Sequence, residues 1–174
     1  MFEITEGARI VFLDCDGVVN NQSTRLISLD GKNRVDPVDE NLVNGVIRAI
    51  DEVDAEIVIS STWRKYYPVQ KIIAMLGNHD PDIKDILHKR IEKNIWRTPD
   101  TSSGFRGREI SKWISEYEIC VGPVCRYAII DDDTDFSAGQ LPHFVNTDAE
   151  FGWRPRDRDT LIQAMSVPLY LPAS

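Results

Sequence analysis

Three short apolar runs in this sequence end in residues suited to handling an anion or a cation. Ile10-Val11-Phe12-Leu13 runs into Asp14-Cys15-Asp16-Gly17. Ile57-Val58-Ile59 runs into Ser60-Ser61-Thr62-Trp63-Arg64. Tyr127-Ala128-Ile129-Ile130 runs into Asp131-Asp132-Asp133-Thr134-Asp135. Carboxylates brought this close repel, and they stay together only with a cation, a shared proton or solvent. Hard oxygen ligands select magnesium over softer metals. Solvated turns are the plain alternative for any one Asp-x-Asp-Gly. Three apolar runs that all end in polar clusters argue against it.

The runs have strand length and are rich in β-branched residues. Their apolar continuity fits strands buried on both faces of a parallel sheet. Phe144-Val145 is a weaker fourth candidate. Helical patterns lie between them, so the expected class is α/β. Asp36-Pro37 reads as a helix start, followed by an apolar face of Leu42, Val43, Val46, Ile47 and Ile50. Pro68 opens a second helix that stops at Gly77, and Asp80-Pro81 opens a third. Ile110, Trp113, Ile114 and Tyr117 mark a fourth face, and Leu161, Ile162 and Met165 a fifth. Residues 20–35 and 96–106 read as irregular segments next to the proposed site. In an open parallel sheet, ligands bind beyond the carboxyl ends of the strands. That places two acid clusters and one hydroxyl cluster in a single crevice.

The chain has 174 residues, one domain's worth at roughly 100–200 residues per domain. It carries 20 Lys and Arg against 28 Asp and Glu, a net charge of −8. Such a balance argues against an extended nucleic-acid or membrane-binding surface but leaves room for a small basic pocket. No apolar stretch reaches the ~20 residues of a membrane span. The opening residues show no secretory pattern. Three cysteines cannot all pair and lack zinc spacing, so a reducing cytoplasm is the expected compartment. Cys15 sits among carboxylates, a poor setting for a reactive thiolate. Cys120 and Cys125 are expected to pack near the third strand. His79, His88 and His143 show no ligand spacing.

Phe12-Leu13-Asp14-Cys15-Asp16-Gly17 resembles the first motif of the haloacid dehalogenase (HAD) superfamily of phosphohydrolases. Ile57-Val58-Ile59-Ser60 is similar to its second motif, and Ile129-Ile130-Asp131-Asp132 to its fourth. Arg106-Gly107-Arg108-Glu109-Ile110 is the best match to the third, a basic residue at a helix start. The Ser-Ser-Thr-Trp-Arg run, the Arg-Gly-x-Glu-Ile-x-x-Trp segment and the acidic run resemble the small branch found in multi-enzyme RNA-repair proteins. That branch is related in its motifs to the phosphatase half of polynucleotide kinase-phosphatases. The resemblance implies a Rossmann-like fold, a central parallel sheet flanked by helices. It implies Asp14 as the nucleophile and Asp16 as the general acid and base. Magnesium would be held by Asp14, Asp16 and Asp131 or Asp132. Ser60 would contact a phosphate oxygen. Arg106 would stand where the family normally has Lys, with Arg108 or Lys112 as substitutes.

Other candidates carry two readings each. Ser61 and Thr62 extend the hydroxyl cluster. Arg64 either meets phosphate or pairs with an acid. Trp63 either packs under the sheet edge or lines the pocket and stacks on a base. Asn20 and Asn21 either touch substrate or serve a turn. Arg154, Arg156 and Arg158 alternate with Asp157 and Asp159, which reads as a solvated helix start. Residues 1–174 are expected to form one HAD-like domain, with 66–105 as a small helical cap or insertion, or no cap at all. An open site would admit a nucleotide or a nucleic-acid end.

The expected function is magnesium-dependent hydrolysis of a phosphomonoester through an aspartyl-phosphate. The substrate class is a phosphorylated small molecule, a nucleotide or a nucleic-acid terminal 3′-phosphate. A phosphatase of metabolites or phosphoproteins and a non-catalytic binding module are the alternatives. An acid at Asp16 distinguishes phosphoryl chemistry from dehalogenation. Six of the 28 acids belong to the proposed crevice or its rim, and 22 remain against the 20 basic residues. Much of the net charge is therefore the site itself.

Overall fold

The computed structural model describes residues 2–24 and 38–171. Among the described residues there are six strands: β1 (Phe2–Glu3), β2 (Ala8–Leu13), β3 (Glu56–Ile59), β4 (Val124–Asp131), β5 (Phe144–Asn146) and β6 (Tyr170–Leu171). The helices are α1 (Glu40–Glu52), α2 (Val69–Gly77), α3 (Pro81–Arg90), α4 (Arg106–Cys120) and α5 (Pro155–Ala164). Four strands form a parallel sheet in the order β3-β2-β4-β5. Strands β1 and β6 pair antiparallel as a separate ribbon. Among the described residues, no helix is long and apolar enough to cross a membrane.

Two apolar layers cover the sheet, as the continuous runs require. Val11, Leu13, Ile57, Ile59, Ala128 and Ile130 face one cluster, with Val46 and Ile47 of α1, Ile72 of α2, Ile83 of α3 and Leu161 of α5. Ile10, Phe12, Val58, Tyr127 and Ile129 face the other, with Ile110 and Trp113 of α4. Successive strand residues therefore alternate between two buried faces. Phe12 sits at the centre of the second layer, edge-on to Trp113 at 5.3 Å and to Tyr127 at 6.2 Å. Truncating it to Ala would cost about 3–5 kcal/mol.

Local chemistry sets the helix ends. The Asp39 side chain accepts from the amides of Asn41 and Leu42 and caps α1. Asp36 and Pro37, expected at this start, lie outside the described residues, as does most of the irregular segment 20–35. Beyond α1, Asp54 adopts φ 51°, a left-handed conformation that Asp tolerates better than most residues. Arg90 clamps this turn, donating to Asp51 at 2.7 Å and Asp54 at 2.6 Å. Pro81 sits in the first turn of α3, capped by Asp80.

Two further segments take a definite place. Helices α2 and α3, in the segment expected as a small helical cap or insertion or as no cap at all, bury Ile72, Ile73, Leu76, Ile83 and Leu87 in the main core beside α1. They are part of the body of the fold. Residues 96–98, expected to be irregular, lie along the free edge of β3. Ile59 donates its amide to Trp96 and accepts from Thr98, and it forms a parallel bridge with Arg97.

Candidate active site

The three apolar strands β2, β3 and β4 end side by side. Leu13 lies beside both Ile59 and Ile130 in register, so the polar residues that follow each strand share one crevice. Asp14 follows β2, anchored by its amide on the Ile130 carbonyl at 2.9 Å. Asp131 ends β4 and is fully buried, and Asp132 is half-buried. Carboxylate oxygens of Asp14, Asp131 and Asp132 lie within 4.8 Å of one another.

Arg106 is the cation of this cluster. As the first residue of α4 it reaches across the crevice. Its Nη1 lies 3.0 Å from Asp14 Oδ1, 2.7 Å from the Ser60 carbonyl and 3.2 Å from Asp131 Oδ2. Its own amide donates to Asp135 Oδ2 at 3.0 Å, so the last acidic residue pins the helix start. The alternatives Arg108 and Lys112 are engaged elsewhere. Arg108 lies over the Phe105 ring, and Lys112 pairs with Glu116 on the surface.

The electrostatics follow from burial. Burial lifts the Asp14 carboxyl above its ordinary range, although Arg106 pulls it back. Burial and the neighbouring Asp14 charge lift Asp131 in the same way. Burial works against the Arg106 charge, but Asp14 and Asp131 more than compensate and hold it firmly protonated. The Cys15 thiol is pushed well up by burial and by Asp14, so it is a packed side chain with no thiolate.

A hard divalent cation fits this donor set. Three carboxylates converge where Arg106 is the neighbouring positive charge, and buried Asp131 Oδ2, in ion-pair range of Arg106, accepts no hydrogen bond among the described residues. Gly17 makes room for the third acid. It has φ +74°, and a Cβ there would collide with the Asp132 carboxylate.

Each carboxylate oxygen of Asp16 accepts from a neighbouring side chain. Trp63 Nε1 donates to its Oδ2 at 3.0 Å, and Asn20 Nδ2 donates to its Oδ1 at 2.9 Å. Asn20 Oδ1 in turn accepts the Gly17 amide at 2.9 Å. Asn20 thus braces the loop that carries the acid, and Asn21 accepts from Thr24 in the turn beyond. Neither reading offered for Trp63 included this contact.

The hydroxyl cluster divides. Ser60 Oγ is buried and takes no hydrogen bond among the described residues, which suits a contact to an incoming oxyanion. Ser61 is turned inward, where its oxygen accepts the Trp63 amide and caps the 3-10 turn Thr62–Lys65. Thr62 is exposed on that turn. Of the two readings of Arg64, the geometry fits the pairing with an acid. All three guanidinium nitrogens donate inside the fold, to Thr98 O, to Ser60 O and Ser61 O, and to Glu109 at 2.7 Å. Burial lowers its pKa, and Glu109 opposes that shift. Glu109 was not singled out from the sequence. Its position three residues after Arg106 puts it on the buried side of α4.

The remaining candidates are structural. Cys125 is buried with its thiol on the Gly7 carbonyl, whereas Cys120 is exposed at the end of α4. Arg154 lies near Asp148 and Asp157, and Arg158 pairs with Glu52 and Asp159.

No curated protein and no solved structure gives a significant match. The family model described as the HAD domain in Swiss Army Knife RNA repair proteins matches residues 10–157. That span runs from the strand before Asp14 to the start of α5 and takes in every side chain of the crevice. The chain therefore belongs to this family of HAD-type phosphatase domains.

Proposed function

We propose that this protein is a magnesium-dependent phosphomonoesterase acting on a nucleotide or the terminal phosphate of a nucleic acid. The observation that carries the reading is the meeting of Asp14, Asp131, Asp132 and Arg106 at the ends of adjacent strands. Asp14, Asp131 and Asp132, with the Asp16 backbone, would hold the ion. When bound, it would neutralise phosphate charge and let a carboxylate approach an anion.

The chain's own groups account for the proton and electron movements. An Asp14 oxygen attacks phosphorus, and the bond from phosphorus to the leaving oxygen breaks. Asp16 gives that oxygen its proton. The Asp14 acyl phosphate then meets a water molecule, which loses a proton to Asp16 as its oxygen bonds to phosphorus. The Asp14–phosphorus bond breaks, and inorganic phosphate leaves. Arg106 places positive charge beside the nucleophile throughout, and the Ser60 hydroxyl donates to a phosphate oxygen. The family's RNA-repair setting favours a nucleic-acid end, and the free cysteines suit a reducing cytoplasm. Residues 1–174 act as one catalytic domain in this reading.

A substrate panel with and without magnesium tests it. Nucleoside monophosphates, 3′-phosphorylated oligonucleotides, sugar phosphates and an aryl phosphate are compared. Turnover that needs magnesium, favours nucleotide substrates and disappears in Asp14→Asn is expected. Equal rates on sugar phosphates would overturn the substrate class. Full activity in Asp14→Asn would overturn the mechanism.

A further inference from the structure

Beside the crevice lies a cleft of about 390 Å3, lined by Lys65, Tyr66, Tyr67, Gln70, Trp96 and Arg97. None of its lining residues is acidic, although the chain as a whole carries −8. We propose that this cleft binds the nucleotide preceding the phosphorylated end of a single nucleic-acid strand. The proposal rests on the phosphatase reading above and names where the rest of its substrate lies.

Direction comes from Asp16. The acid that protonates the leaving oxygen must stand on the leaving-group side of the phosphate. Asp16 is fixed on that side by Trp63, a residue of the 3-10 turn Thr62–Lys65. The same turn runs on into Lys65 and Tyr66 at the cleft, about 6 Å further at ~2 Å per residue. A strand leaving over Asp16 therefore meets the cleft next. The cavity of Phe105, Arg108 and Phe136 instead adjoins Arg106 and Asp135, on the side of the nucleophile's cation.

The lining has the chemistry of single-strand binding, aromatic faces among cations. Tyr66 is 74% exposed, a large ring area open to solvent. The Arg97 guanidinium lies 5.1 Å from the centre of the Trp96 ring and is anchored by Nη1 on the Arg64 carbonyl at 2.9 Å. It is a pre-set partner for a phosphate or a base face. Lys65 pairs at the rim with Asp100, an exposed contact that a phosphate can replace. Helix α2 begins at the cleft without a side-chain cap, and its amide end adds to the same field.

The test compares kcat/KM for mononucleotide and dinucleotide 3′-phosphates in one preparation. The wild type is expected to favour the dinucleotide by about ten-fold. Tyr66→Ala and Arg97→Gln should each bring the ratio towards one. Arg108→Gln, which removes an equal charge on the other flank, should keep it. A ratio near one in the wild type, or one that survives both cleft substitutions, overturns the proposal. Binding decides the question even if no phosphoester is turned over. A fluorescein-labelled single-stranded oligonucleotide 3′-phosphate is titrated against Asp14→Asn and Asp14→Asn/Tyr66→Ala, read by anisotropy. About ten-fold weaker binding in the double variant sustains the cleft. Equal affinity overturns it.

Discussion

Trp63 donates its indole N–H to Oδ2 of Asp16 at 3.0 Å, joining residues 47 apart in the chain. Trp63 is buried, edge-on to Tyr67, so its ring cannot swing away from the acid. With Asn20 on the other oxygen, Asp16 has a fixed direction before substrate arrives. In the proposed mechanism Trp63 is therefore a positioning residue for the proton donor. Trp63→Phe keeps most of the packing and removes the donor. Its kcat should fall about ten-fold on phenyl phosphate, a poor leaving group that needs protonation. The fall should be much smaller on nitrophenyl phosphate, whose leaving group needs little help. Equal losses on both substrates would assign Trp63 a purely structural role.

The contrast between what the residues disclosed in order and what they did not has a physical basis. Ile10–Leu13, Ile57–Ile59 and Tyr127–Ile130 read as strands because burial on both faces leaves an unbroken apolar run. The acids after them read as a site because strand ends of a parallel sheet are neighbours. Arg106 was a candidate only through the resemblance to the third family motif, a basic residue at a helix start, with Arg108 and Lys112 as alternatives. The contacts of Trp63 with Asp16 and of Arg64 with Glu109 had no such signature. Each joins residues more than 40 positions apart, and no local period records that meeting. The faces of α2 and α3 were legible, but the surface they bury is a tertiary choice. The sequence left open whether they form a lid, and their apolar faces pack into the main core beside α1.

Arg64 and Glu109 form a pair in which both side chains are at most 5% exposed. Removing one partner from such a pair strands a buried charge. Glu109→Leu should lower unfolding stability by about 3–5 kcal/mol, measured by urea denaturation. Glu109→Gln, which still accepts from Arg64, should lose clearly less. Both should reduce turnover, because Arg64 and Arg106 share the Ser60 carbonyl as acceptor. A stable, fully active Glu109→Leu would mean that the pair anchors nothing.

His143 gives the fold a pH dependence separate from catalysis. The ring is buried and stacked on Tyr127 at 4.0 Å, with Nδ1 3.1 Å from the Tyr127 carbonyl. Burial holds its pKa below the ordinary 6.5. The unfolded chain therefore binds a proton near pH 6.5 that the folded chain refuses. Stability from this group is complete above pH 6.5 and declines as pH falls from there to the lowered folded value. Melting temperatures of the wild type and His143→Gln should differ in slope across that window and run parallel above it. Parallel curves throughout would remove His143 as the cause.

Gly17 tests the metal site without altering any ligand. Its φ of +74° disfavours a side chain, and a Cβ would strike the Asp132 carboxylate. The strain costs about 1–2 kcal/mol, which a folded domain can absorb. The displacement of Asp132 is the larger effect, because the proposed ion site draws on all three carboxylates. Gly17→Ala should fold, as read by circular dichroism, and bind magnesium about ten-fold more weakly by calorimetry. Asp132→Asn should weaken binding in the same direction while leaving the backbone at residue 17 unstrained. If Gly17→Ala binds magnesium as the wild type does, Asp132 is not a ligand. The ion then rests on Asp14 and Asp131 alone among these carboxylates.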